Sequence, residues 1–189
     1  ASDNSRLIYR QGNIFCYEDH MVFGRYTVPY TDMAELEIID NGVITHGGIK
    51  AYVLSTHQTL SLSANNPRGY SPVVEKINER VRKALMREIS DILFREIKDP
   101  HISGIVSITD VEVSHDNTSA KVFFSVFGDD KTKERTKEAL EKNTPRIRHE
   151  VGKRIRLRVT PELQFLEDDS LERGVRVTEL IDKISRGEL

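Results

Sequence analysis

The chain is poor in the residues that most catalytic, metal-binding and membrane proteins depend on. One cysteine, Cys16, stands in 189 residues. This excludes an internal disulfide and any cysteine-based zinc cage. No apolar run approaches the ~18 residues a membrane-spanning helix needs. Ala1–Arg6 has neither the basic start nor the apolar stretch of a secretory signal, so a cytoplasmic protein is expected. The six histidines (20, 46, 57, 101, 115 and 149) show no metal-ligand spacing. Glycine-rich loops of the nucleotide-hydrolase or dinucleotide type are missing. No two glycines are spaced Gly-x-x-Gly, which argues against a glycine loop of that spacing gripping single-stranded RNA. There is no internal repeat and no low-complexity segment. A cofactor is not expected.

The residues that remain describe a globular chain, with 38% apolar and 31% charged residues and a net charge of −2. That balance hides an asymmetry. Residues 1–66 carry seven acids and four bases, and residues 67–189 carry 23 acids and 24 bases. Within Asn143–Arg158 stand Arg146, Arg148, Lys153, Arg154, Arg156 and Arg158 against the single acid Glu150. Such a local cluster decides polyanion binding more than the whole-chain sum does.

Composition changes near Asn65-Asn66-Pro67-Arg68-Gly69. Before it, short strands are expected at Leu7–Arg10, Ile14–Glu18, Met21–Tyr26, Ala34–Ile39, Gly42–Thr45, Lys50–Ser55 and Thr59–Ser63. Asp40-Asn41-Gly42 and Gly47-Gly48 read as turns. After it, Ser71 as cap and Pro72 in the first turn open a helix. Its apolar residues recur every three or four positions from Val74 to about Ile97. Lys98-Asp99-Pro100 ends it, because a residue before proline avoids the helical region. A helix of this length is long enough to be shared by both halves, although a bend near Asn78 is equally compatible with the sequence. Ile105–Val113 and Ala120–Phe127 read as a hairpin. Thr132–Lys142 and Arg146–Ile155 read as two helical segments separated at Asn143-Thr144-Pro145. Leu163–Leu166 is a further strand and Ser170–Ile184 a terminal helix. The expected core contains Val81, Leu85, Ile92, Leu93, Ile105, Ile108, Val111, Val122, Phe124, Ile147, Val151, Leu163 and Phe165.

Several short motifs then coincide in order: Arg87-Glu88-Ile89-Ser90, Arg95-Glu96-Ile97-Lys98-Asp99-Pro100, Val111-Glu112-Val113-Ser114, Ala120-Lys121-Val122, Leu157-Arg158 and Pro161-Glu162-Leu163-Gln164-Phe165. On these, residues 79–186 resemble the ribosome-binding factor A family. The resemblance implies an α+β chain whose main part is a type II KH-like domain, with the order helix-strand-strand-kinked helix pair-strand. It also implies binding to the small ribosomal subunit and its rRNA during late maturation, often linked to growth in the cold. The family places an Ala-x-Gly interruption between its second and third helices. Asn143-Thr144-Pro145 occupies those positions here, and Pro145 is able to start a new helix. Val28–Glu37 resembles small bacterial pleckstrin-homology-like domains, which end in a helix that Pro72–Asn78 supplies. The sequence leaves open whether residues 1–77 are a natural extension or a fusion. The expected organisation is a small β-rich domain at 1–70, a helical junction at 71–78 and a KH-like ribosome-binding domain at 79–189.

The basic residues can meet rRNA phosphates, and arginine offers a bidentate fork for them. The expected RNA-binding set is Arg95, Lys98, Asn143, Thr144, Arg146, Arg148, Lys153, Arg154, Arg156 and Arg158. The bland alternative is a solvated helix face with pairs such as Arg146 to Glu150. Asp99-Pro100 is expected to be architectural. A monomer without membrane association and without catalysis is expected. The alternatives are an RNA-processing enzyme using Glu167, Asp168 and Asp169, or a protein- or lipid-interaction module in the N-terminal half.

Overall fold

The computed structural model describes residues 4–42, 47–102, 106–114, 119–155, 160–169, 178 and 180–187. The chain begins with an antiparallel meander of four strands: β1 (Leu7–Gln11), β2 (Ile14–Tyr17), β3 (His20–Phe23) and β4 (Tyr26–Pro29). Ile14, Cys16, Met21 and Phe23 alternate inward along β2 and β3, as period-two burial requires. The single strand expected over Met21–Tyr26 is instead the end of β3, a turn and the start of β4. Gly24 makes the turn possible with φ +61°, a left-handed conformation open to glycine at little cost.

A second meander follows, of β5 (Glu37–Ile39), β6 (Gly47–Val53) and β7 (Gln58–Ala64). Gly47-Gly48, expected as a turn, lies in β6. A β-carbon on Gly47 would collide with the Ile39 carbonyl, and one on Gly48 would lie 2.5 Å from the Leu62 carbonyl. Both glycines therefore serve close strand approach. Most of the strand expected over Gly42–Thr45 lies outside the described residues.

Helix α1 (Ser71–Arg95) carries both halves of the molecule. Ser71 is its first residue rather than its cap, and its hydroxyl donates to the Arg68 carbonyl at 2.7 Å. Val73, Val74, Ile77, Val81, Leu85, Ile89, Ile92 and Leu93 form one buried stripe. The helix packs on β1, β2 and β5, and also on a strand and a helix of the C-terminal part. It is a single element through Asn78. That side chain accepts from the Leu36 N–H at 2.6 Å and donates to the Leu36 carbonyl at 3.1 Å. After the helix, the Asp99 carboxylate accepts the His101 N–H at 3.0 Å. The Asp99 carbonyl accepts the Ile102 N–H at 3.0 Å. Asp99-Pro100 is thus a hydrogen-bonded stop.

The C-terminal part has a three-stranded sheet in the order β10-β9-β8, made of β8 (Val106–Val113), β9 (Ser119–Val126) and β10 (Glu162–Glu167). β8 and β9 are antiparallel, and β10 runs parallel to β9. The crossover between β9 and β10 is α2 (Asp130–Ile155). Its start is capped by Asp129, whose carboxylate accepts the Thr132 N–H at 2.8 Å and hydroxyl at 2.7 Å. These bonds, the hydroxyl's first, hold the Asp129 carboxyl below its usual pKa range.

The expected break at Asn143-Thr144-Pro145 is absent, because α2 runs through Pro145 as one helix. Proline there removes one N–H and so leaves the Glu141 carbonyl without its helical donor. Glu141 is exposed, so water can replace that donor. Leu140 and Ile147, both 0% exposed, bury the same apolar face on either side of the proline. That burial outweighs the local rule.

One buried cluster runs from Ile14, Met21 and Phe23 through the α1 stripe to Phe124, Leu140, Ile147 and Phe165. The expected core residues are buried, except that Leu163 is half-buried and Ile105 lies outside the described residues. Of the expected terminal helix, residues 170–177 and 179 lie outside the described set, and residues 180–185 are helical.

Candidate nucleic-acid interface

The second half of α2 carries four cations of the basic segment, Arg146, Arg148, Lys153 and Arg154, which differ in what they do. Arg146 is exposed and has no polar partner among the described residues. Lys153 is exposed and weakly paired with Glu150 at 3.5 Å. Arg148 is committed to the fold. Its Nε donates to the Pro161 carbonyl and its Nη2 to the Thr160 carbonyl, each at 3.0 Å. Nη2 also lies 3.3 Å from Glu162. The guanidinium fork thus grips the chain where it returns toward β10. Gly152 assists, since a β-carbon there would stand 2.5 Å from the Thr160 hydroxyl.

Arg154 is the most engaged cation. Its Nη1 lies 2.6 Å from Asp91 and 3.4 Å from Glu88, and its Nη2 lies 3.6 Å from Glu96. All three carboxylates sit on or beside the end of α1, so Arg154 ties α2 to α1. The hydrogen bond to Arg154 holds the Asp91 carboxyl below its usual range, and the same bond raises the guanidinium's affinity for its proton. Arg156 and Arg158 lie outside the described residues.

The remaining expected residues sit near the α1 stop. Arg95 pairs with Asp91 at 2.8 Å, one helical turn away. Lys98 is exposed without a polar partner among the described residues. The Asn143 amide donates to Asp99 at 3.1 Å and to the Ala139 carbonyl at 2.8 Å, joining α2 to the Pro100 turn. Thr144 donates to the Leu140 carbonyl at 2.8 Å. The structure therefore separates the set into exposed cations (Lys98, Arg146 and Lys153) and groups that position backbone or helices (Asn143, Thr144, Arg148 and Arg154). Arg95 is exposed but carries one ion pair.

Sequence reasoning missed that one arginine gathers Glu88, Asp91 and Glu96. No local signal could have shown it, since Arg154 lies 63 residues from Asp91 and 66 from Glu88. The acidic run of the enzyme alternative is built into the end of the sheet. Glu167 lies 3.9 Å from Lys133. Asp168 accepts the Thr109 hydroxyl at 2.8 Å, and its N–H donates to the Phe124 carbonyl at 2.7 Å. No described group of three His, Cys, Asp or Glu side chains is placed to hold a metal. No described helix is long and apolar enough to cross a membrane.

Comparison with known proteins places the C-terminal part. The family model for ribosome-binding factor A matches residues 77–181. Ribosome-binding factor A of Halothermothrix orenii is 51% identical over 109 residues, covering 58% of this chain and 88% of that protein. The Clostridium tetani protein of the same name is 49% identical over 113 residues, covering 60% and 90%. A solution structure from Thermotoga maritima, described as a putative ribosome binding factor A, is 30% identical. It covers 47% of this chain and 88% of that one, with a TM-score of 0.41. Residues 1–76 lie outside the family match. With more than half of its length matched by the family model, this chain belongs to the ribosome-binding factor A family.

Proposed function

We propose that this chain is an assembly factor that binds the small ribosomal subunit and assists late maturation of its rRNA. The observation that carries this reading is the family match over residues 77–181, on a module whose exposed cations flank the α1 stop and α2. The module's order α1-β8-β9-α2-β10, with both helices packed on the sheet, fits a type II KH-like fold. In this reading it occupies residues 79–189, residues 1–70 are a separate small β-rich domain, and the first turns of α1 join them.

Binding is electrostatic at its edge. Lys98, Arg146, Lys153, Arg156 and Arg158 meet phosphates, which fix position and carry little base information. Arg148 and Arg154 act one step back. Arg148 fixes the backbone at Thr160 and Pro161, and Arg154 offsets part of the negative charge of Glu88, Asp91 and Glu96. Asn143 and Asp99 hold the Pro100 turn against α2. Such a ligand works without bond chemistry, by binding one rRNA conformer more tightly than another and so enriching it.

The test is co-sedimentation of the full chain with purified free small subunits over a salt series. Expected is binding whose log affinity falls linearly and steeply with log salt concentration. Binding that ignores salt, or an equal preference for complete translating ribosomes, contradicts the proposal.

A further inference from the structure

The solvent-facing line of α1 ends in an unusual way. Arg87, Ser90 and Phe94 are exposed and recur at three and four residues, so they follow one another along one side of the helix. Phe94 is 71% exposed, although the opposite stripe of the same helix buries eight apolar side chains. The fold makes no use of this ring.

The charges around the ring are sorted. Glu88, Asp91 and Glu96 are drawn to Arg154, and Asp91 also holds Arg95. Arg87 and Lys98 have no polar partner among the described residues. Arg87 precedes the ring by seven residues, or roughly 10 Å of helix axis. Lys98 follows it by four, just beyond the helix end. A protein partner would be met by a contiguous apolar patch. Here the exposed neighbours in sequence and along the helix are Arg87, Ser90 and Arg95, all polar. In sequence the ring stands between Arg87 and Lys98, two cations without a polar partner among the described residues, and this pattern suits an unpaired nucleotide, whose base stacks while the flanking phosphates meet the cations.

We infer that Phe94 is a stacking platform for an unpaired base of the rRNA, with Arg87 and Lys98 receiving the neighbouring phosphates. The inference rests on the small-subunit reading above and adds a base contact to it.

The chain contains no tryptophan, so Phe94→Trp introduces its sole indole. The probe is purified free small subunits added to the full chain. Expected is quenching of the indole with near wild-type affinity. Phe94→Ala and Phe94→Leu should both weaken binding on the order of tenfold, since leucine keeps apolar area but offers no stacking face. Because the position is exposed, each variant should retain the wild-type melting temperature, which removes misfolding as a cause. Wild-type affinity in Phe94→Ala overturns the inference. So does a Phe94→Leu variant that binds normally while the indole shifts blue without quenching, the mark of a protein surface. If the wild-type chain does not bind small subunits, the underlying reading fails and the stacking site falls with it.

Discussion

Asn78 offers the sharpest test of how the two halves are joined, because one side chain satisfies both backbone groups of Leu36. In Asn78→Ala, the Leu36 N–H loses its 2.6 Å acceptor and the carbonyl its 3.1 Å donor. Leu36 is 5% exposed, so water reaches these groups poorly. Two lost hydrogen bonds cost about 1 kcal/mol each, and more where the groups stay unsatisfied. Alanine is the better helix former and offsets about 0.5 kcal/mol of this. The net destabilisation is about 1.5–2.5 kcal/mol, or roughly 4–8 °C in Tm for a chain of this size. Thermal unfolding reads the total, and amide hydrogen exchange at Leu36 reads the site. Asn78→Asp should be at least as damaging, since a carboxylate keeps the acceptor but faces the Leu36 carbonyl without a donor. A Tm within about 1 °C of wild type, with the Leu36 amide still protected, would refute the reasoning.

The other expectations concern α2. Arg154→Ala should lower Tm at neutral pH and flatten its acid dependence. The contribution of a carboxylate held below its usual pKa is complete above the usual aspartate range and lost as pH falls through the folded value, so the variant should lose less Tm than wild type between about pH 5 and about pH 2.5. Gly152→Ala should destabilise the wild type through the 2.5 Å approach to Thr160, yet stabilise a Thr160→Ala background by up to about 1 kcal/mol. A double-mutant cycle in urea checks that reversal of sign. Phe124→Ala, at a side chain 0% exposed, should cost about 3–5 kcal/mol by denaturant titration.

The parts of the fold that local physics decides were legible in the sequence. Ser71-Pro72 and Lys98-Asp99-Pro100 bracketed α1, and its buried stripe followed from the three-or-four spacing. Alternation marked β8 and β9. Pro145 misled because a local breaker rule met an apolar face, Leu140 to Ile147, strong enough to carry the helix through. The turn at Gly24-Arg25 was missed because it lacks the Asn-Gly or Asp-Gly pair that announces a hairpin. For the candidate interface, the sequence shows the cations but not their partners within the fold. Arg148 looked like a phosphate ligand, but its acceptors are two backbone carbonyls, which carry no signal in composition. Arg154 looked free because its carboxylates belong to a distant helix.

The central claim is that exposed cations of the C-terminal module grip small-subunit rRNA while Arg148 and Arg154 only shape the surface. Gradient sedimentation with free small subunits tests it most directly, comparing wild type with a variant reversed to glutamate at the exposed Lys98, Arg146 and Lys153. The account predicts that wild type travels with the subunit at moderate salt, and that the variant stays at the top of the gradient with its melting temperature unchanged. A folded variant that still travels with the subunit would contradict it.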